Sequence, residues 1–241
     1  MLAIKIENLT KKYKDTVAVD GLSLSIEKGE LFSLLGVNGA GKTTTIKMLS
    51  CLTNADSGDA FLNGYSIQKD TAKVKEIIAV SPQESAVAQN LAVKENLELI
   101  CRVHGFSKEE TKKKINRQTE LLGLTSVLNK KASKLSGGYK RRLSIAMALI
   151  SEPEILFLDE PTLGLDVLAR ADLWDIIKEL KGKITIVLTT HYMEEAEALS
   201  DRIAIMKDGK LLICDTCEKI KEIAKTSNFE EAFVNIIRGA K

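Results

Sequence analysis

The stretch GVNGAGKTTT, Gly36 to Thr45, sits directly behind the apolar run LFSLL and directly ahead of a helical pattern. Glycine loses more backbone freedom on folding than any other residue, so three of them between a strand and a helix imply that bare backbone is needed there. The residues fit G-x-x-x-x-G-K-[ST] as Gly36, Gly41, Lys42 and Thr43, at the junction where that pattern has physical meaning. Backbone N–H groups along Gly36, Val37, Asn38, Gly39, Ala40, Gly41 and on to Thr44 can converge on phosphate oxygens, and the helix that follows presents its positive end to them. Lys42 supplies a mobile positive charge for the β- and γ-phosphates of a nucleotide, and the Thr43 hydroxyl is placed to ligate Mg²⁺. A glycine-rich turn that only caps a helix would not need the whole pattern.

The rest of the chain carries the periodicities such a loop requires. The first thirty residues alternate, with Ile4 and Ile6 and then Leu22, Leu24 and Ile26 on one face, the period of half-buried, antiparallel strands. LFSLL, IIAV, ILFL and ITIVLT are short, nearly continuous apolar runs, the signature of strands covered on both faces in a parallel sheet. Helical patterns follow at Lys42 to Leu52, Leu168 to Leu180 and Met193 to Leu199. Strand, turn and helix in alternation predict an α/β fold: a P-loop core with a mostly parallel sheet and an N-terminal antiparallel β region. From about Val87 to Glu152 the chain has charged, Leu-spaced stretches and no buried strand, which predicts a helical subdomain inserted in a domain spanning residues 4–234. Lys112 to Lys114 read as a solvated helix face. The tail from Glu218 reads as amphipathic helix.

Charge and hydropathy exclude some classes. Thirty-five Lys and Arg against 33 Asp and Glu leave a net charge of +2, no electrostatic basis for a nucleic-acid partner. No apolar run approaches the roughly 18 residues that span a bilayer, and MLAIKIENLT has no signal-peptide core, so a soluble cytoplasmic chain is expected. Four cysteines are too few for a disulfide framework, and the pair Cys214 and Cys217 in CDTC lacks the second ligand pair of a zinc site.

A phosphate loop needs a carboxylate for its metal, and ILFLDEPT offers Asp159 and Glu160 at the end of a core strand. Ligands of parallel sheets bind at the carboxyl ends of strands, so Asp159 should neighbour the loop and hold Mg²⁺. Glu160, one residue on, is the candidate general base for a water in line with the γ-phosphorus.

Between these motifs, KLSGGYKRRLSIAMALI makes the chain recognisable. LSGG, a basic helical stretch and then the LDEP strand resemble ABC-type ATPases, and the resemblance covers nearly the whole chain. It implies that Tyr13 stacks on adenine, that Gln83 in VSPQE is the glutamine loop reaching the metal, that Gly164 to Asp166 form the D-loop, and that His191 in LTTHYMEEAE is the switch histidine holding Glu160 and the water. Ser136, Gly137 and Gly138 form a second anion-binding helix start. One chain already has a phosphate cradle, so the family's head-to-tail dimer, with this motif on the other subunit's γ-phosphate, resolves the redundancy. Tyr139 stands where the signature usually has glutamine, and with LDEPTLGLD and the closing NFEEAFVNIIRG it resembles the ATPase subunits of exporters with a separate membrane permease, the drug, sodium, lipid and polysaccharide group. The expectation is an ATP-hydrolysing subunit, peripheral on the cytoplasmic face of the membrane. Two rival readings are an ABC ATPase of translation or DNA maintenance, and a non-catalytic nucleotide clamp; the compact single domain disfavours the first, and Glu160 with His191 disfavours the second.

Overall fold

The alternating N-terminal residues form a hairpin of β1 (Leu2–Tyr13) and β2 (Thr16–Glu27) that registers Ile4 against Ile26, Ile6 against Leu24 and Leu9 against Leu22. In this computed structural model, which describes residues 1–239, β4 (Ser57–Leu62) and the two-residue β5 (Tyr65–Ser66) extend the hairpin to an antiparallel sheet of order β2-β1-β4-β5. The sequence reading did not include these two strands, because only Ala60 and Leu62 of β4 are fully buried and the alternation is too short to stand out.

The second sheet has order β10-β9-β3-β8-β7-β6. Five of its members, β3 (Leu31–Gly36), β6 (Ile78–Ser81), β7 (Ile155–Asp159), β8 (Thr185–Thr190) and β9 (Arg202–Lys207), run parallel, with β6 at one edge, and β10 (Lys210–Asp215) closes the other edge as an antiparallel hairpin with β9. The continuous apolar runs have a simple cause. Alternate residues of one strand point to opposite faces, and both faces are covered: Ile155 and Phe157 of β7 join the cluster under the antiparallel sheet, whereas Leu156 and Leu158 join the cluster under the helical insert.

That insert lies between β6 and β7 and comprises α3 (Val93–Val103), α4 (Lys108–Leu121), two short 3₁₀ turns and α5 (Gly137–Leu149). The core helices are α1 (Lys42–Leu49), α2 (Thr71–Ile77), α6 (Val167–Leu180) and α7 (Met193–Leu199). The first ends three residues short of the expected Leu52, since Cys51 takes the left-handed conformation at φ 56°. The tail forms α8 (Cys217–Ile223) and α9 (Phe229–Gly239), and Phe229, Ala232 and Phe233 bury against Ala196, Ile203 and Ile205.

One expectation needs correction here. Lys114 does not share the solvated face of Lys112 and Lys113: its Nζ lies 4.4 Å above the Phe106 ring and 2.9 Å from Glu152, with the side chain mostly covered. Cys214 and Cys217 are free thiols turned to different partners, Cys214 accepting from Arg202 at 3.2 Å and Cys217 donating to Glu197 at 3.6 Å. Burial pushes the Cys217 thiol up to about 11, away from the thiolate that redox chemistry needs.

Candidate active site

The carboxyl ends of β3, β7 and β8 meet at a cleft of about 600 Å³, lined by Asn38 to Thr44, Gln83, Glu160, Leu163 and His191, with Thr16 and Ala18 of β2 at its rim. The phosphate loop wraps the start of α1, whose first residues, Lys42 and Thr43, carry the side chains that matter. Two of its glycines are required by close packing. A Cβ on Gly36 would lie 2.5 Å from the Met206 carbonyl, and one on Gly41, at φ 100°, would lie 2.4 Å from the Ala18 carbonyl. The loop is thus squeezed between β9 and β2, and the glycine requirement at these positions comes from the neighbouring backbone more than from an incoming phosphate.

Lys42 was expected to be a mobile charge and is instead held in place. Only 5% exposed, its ammonium donates to the Gly36 carbonyl at 2.8 Å and the Val37 carbonyl at 3.3 Å, and it pairs with Glu160 Oε1 at 3.3 Å. Thr43 Oγ1 donates to Asp159 Oδ1 at 3.0 Å. These are hard oxygen donors next to a phosphate cradle, a donor set that fits Mg²⁺.

Asp159 and Glu160 are consecutive, and on a regular strand their side chains would point to opposite faces. Here both reach α1. The reason is backbone: Glu160 has φ 47°, a left-handed conformation that costs a non-glycine residue about 1–2 kcal/mol. Neighbours hold it there. The Glu160 N–H donates to Thr189 Oγ1 at 3.0 Å, and the same hydroxyl donates to Asp159 Oδ1 at 2.5 Å. His191, placed just beyond the end of β8, has Nδ1 at 2.6 Å from Glu160 Oε2. A carboxylate only accepts, so Nδ1 carries the proton in this pair. The Glu160 carboxyl is therefore gripped by Lys42 on one oxygen and His191 on the other.

Other expected residues stand apart from the cleft. Tyr13 is at the end of β1, 45% exposed and beneath Lys11, near the rim through its pairing with Thr16 and not part of the cleft wall. Ser136, Gly137 and Gly138 start α5 away from it, with Ser136 Oγ accepting from the Tyr139 N–H at 3.4 Å as an N-cap. Asp166 caps α6 by accepting from the Ala169 N–H at 2.9 Å.

Sequence reasoning missed the buried polar groups behind the site. Thr189 is one. Glu195 is another: it is fully buried, and Trp174 Nε1 donates to its Oε1 at 3.2 Å. Burial pushes its carboxyl above the ordinary glutamate range. Arg141 is the third, 4% exposed inside α5. The signal for each was a polar residue inside an otherwise apolar core pattern, which sequence alone does not separate from a surface position.

A phosphate loop, a threonine–aspartate pair beside it and a carboxylate held by lysine and histidine define a P-loop nucleoside triphosphatase site. The chain belongs to the ABC transporter family, whose sequence profile matches residues 19–163. It is 40% identical to the linearmycin resistance ATP-binding protein LnrL of Bacillus subtilis (strain 168), over 98% of this chain and 78% of that protein. It is also 40% identical to the phospholipid-transporting ATPase ABCA3 of Homo sapiens over 91% of this chain, but spans only 13% of that much longer protein. Among solved structures, a dimeric ATP-binding cassette in a post-hydrolysis state with ADP and Pi superimposes with a TM-score of 0.79 at 28% identity, covering 88% of this chain and 98% of the other.

Proposed function

We propose that the chain hydrolyses ATP as one half of a head-to-tail pair, with a second copy of itself or a related subunit, and that the pair drives export through a separate membrane permease. The observation that carries this reading is the grouping of Lys42, Thr43, Asp159, Glu160 and His191 at one cleft while the Ser136 to Gly138 helix start lies outside it. A complete phosphate cradle and a spare anion-binding helix start on one chain fit each other across a dimer. The dimeric post-hydrolysis cassette supports the same arrangement.

In this reading the N–H groups of the loop from Gly36 to Thr44 cradle the phosphates, and Tyr13 stacks on the adenine from the rim. Lys42 exchanges Glu160 for a γ-phosphate oxygen. Thr43 and Asp159, with Gln83 from the cleft lining, would hold Mg²⁺; among the described residues no cluster of three or more His, Cys, Asp or Glu forms a metal cage, which suits an ion that arrives with the nucleotide and keeps some waters. When bound, it supplies charge neutralisation at the phosphate oxygens. Glu160, released from Lys42, accepts the proton of the attacking water, and His191 keeps its carboxyl aimed. Ser136, Gly137 and Gly138 of the second subunit close over the γ-phosphate.

Among the described residues no helix is long and apolar enough to cross a membrane; in this reading the membrane-spanning part is a separate permease, at whose cytoplasmic face the pair sits. Its contact is assigned to a groove of about 290 Å³ between β6 and the insert, lined by Ile78, Val80, Pro82, Ile100 and Met147 and next to the Gln83 loop. Drug resistance and phospholipid transport, the roles carried in the relatives' names, favour a transport task over translation or DNA maintenance. The test is complementation. Lys42→Ala and Ser136→Arg each abolish hydrolysis alone, while a mixture regains part of it, because one composite site then has both an intact loop and an intact signature. A mixture as inactive as its components refutes the shared site.

A further inference from the structure

Arg141, five residues after Ser136 on α5, is buried without a counter-ion. No carboxylate lies within ion-pair distance of it among the described residues. Among the described residues its guanidinium donates only to backbone carbonyls: Nη1 to Pro82 and to Gln83, the latter at 3.3 Å, and Nη2 to Asp159 at 2.8 Å, while Nε has no partner there. Burial lowers its pKa to about 10, against the opposing pull of Asp159, Glu195 and Glu160. A charge kept in so unfavourable a place calls for a reason that a neutral side chain could not meet. Reach and shape supply it: the guanidinium is a planar fork of five donors, able to bond three acceptors on two segments from a third.

The three segments are those the hydrolytic site depends on. Pro82 and Gln83 begin the loop whose glutamine lines the cleft. The Asp159 carbonyl belongs to the peptide that precedes Glu160, and that peptide's N–H is the one held by Thr189 Oγ1. Arg141 and Thr189 thus hold its two ends, and the left-handed φ of Glu160 begins there. The third segment is the start of α5 itself, with Ser136 at its tip. Farther along, the same loop is anchored by the buried Asn96, which accepts from the Ala88 N–H at 2.8 Å and donates to the Ala88 carbonyl at 3.2 Å and the Ala92 carbonyl at 2.9 Å. The Gln83 loop is therefore pinned at both ends, and the Arg141 end is the one tied to Glu160.

We propose that Arg141 is a positioning residue for hydrolysis: through the Asp159–Glu160 peptide it fixes the aim of Glu160, and through Pro82 and Gln83 it joins that aim to the glutamine loop and to the helix that Ser136 begins. This rests on the reading of Glu160 as the base, and the experiment separates the two. Steady-state hydrolysis and direct MgATP binding are measured for wild type, Arg141→Lys, Arg141→Met, Glu160→Gln and the Arg141→Met/Glu160→Gln double variant, each first checked for a folded near-UV signature. Arg141→Met is expected to lower kcat by about 100-fold, the usual effect of displacing a catalytic group by an ångström, and to leave KM and MgATP affinity unchanged. Arg141→Lys, which keeps the charge and loses the fork, recovers part of the rate. In the Glu160→Gln background the methionine variant causes no further loss, because groups acting as a unit are not additive.

A wild-type kcat in Arg141→Met, a fall in MgATP affinity that matches the fall in kcat, or a full multiplicative loss in the double variant overturns the proposal. If the methionine variant does not fold, Arg141→Lys decides: a lowered kcat at unchanged KM upholds the proposal and an unchanged kcat overturns it. A Glu160→Gln protein that hydrolyses at the normal rate removes the base itself, whatever Arg141 does.

Discussion

Replacing Glu160 by Gln keeps volume and hydrogen-bonding capacity while removing the charge, so it separates nucleotide binding from hydrolysis. In the nucleotide-free protein the change breaks the ion pair with Lys42 at 3.3 Å, a gross Coulomb attraction of about 5 kcal/mol at an effective dielectric of about 20. Most of that is offset by the desolvation of two groups that are each less than a tenth exposed. The ammonium also retains the Gly36 and Val37 carbonyls, so the net loss should be near the worth of one charged hydrogen bond, about 2 kcal/mol. Thermal unfolding without nucleotide measures it. MgATP should restore the lost stability, because Lys42 then has phosphate in place of Glu160. Hydrolysis should slow by about 10²- to 10⁴-fold, equivalent to about 3–5 kcal/mol of barrier. In the proposed cycle the pair opens only after loss of the γ-phosphate, so the ATP-bound dimer should accumulate and appear in size-exclusion chromatography with MgATP but not with MgADP. Dimer alone is weak support, since removing a negative charge beside the phosphates itself eases closure. The refuting result is a variant that dimerises with MgATP and turns it over at the normal rate.

Two further outcomes follow from the packing behind the site. Phe157→Ala removes a fully buried ring from the centre of β7 and should destabilise the fold by about 3–5 kcal/mol, read as a lower urea midpoint at unchanged slope; a change below about 1 kcal/mol would mean the site collapses around the cavity. Glu195 is held above its ordinary range of 4.5 by burial, so between 4.5 and its raised value the folded state binds a proton that the unfolded chain has released, and stability from this group falls as pH rises through that window. Glu195→Gln does not titrate and should therefore gain on wild type in melting temperature as pH is raised from 4.5; parallel melting-temperature curves for the two proteins would show that Glu195 carries no such linkage.

Much of the site was legible because its chemistry depends on residue type at fixed spacing. Gly36, Gly41, Lys42 and Thr43 announce a phosphate loop in any chain where strand and helix flank them, and the strand that delivers Asp159 is a run of apolar residues ending in an acid. Helix boundaries such as Met193–Leu199 followed from periodicity alone. Thinly covered strands were harder: few residues of β4, β5 and β10 are fully buried, so their patterns are diluted.

The sequence by itself determined the α/β class, the phosphate loop and the identities of the groups at the cleft, since local spacing and composition encode these. Tertiary structure decided how those groups are held. That Lys42 pairs with Glu160, that Gly36 and Gly41 are demanded by the backbone of β9 and β2, and that Lys114 reaches Glu152 all depend on residues far apart in the chain. So does the left-handed turn at Glu160, which brings two successive carboxylates to one side. Arg141 and Thr189 acquire their partners only when β7, β8, α5 and the glutamine loop are packed together. A buried donor is defined by which acceptors surround it, and that surrounding exists only after the chain has closed on itself.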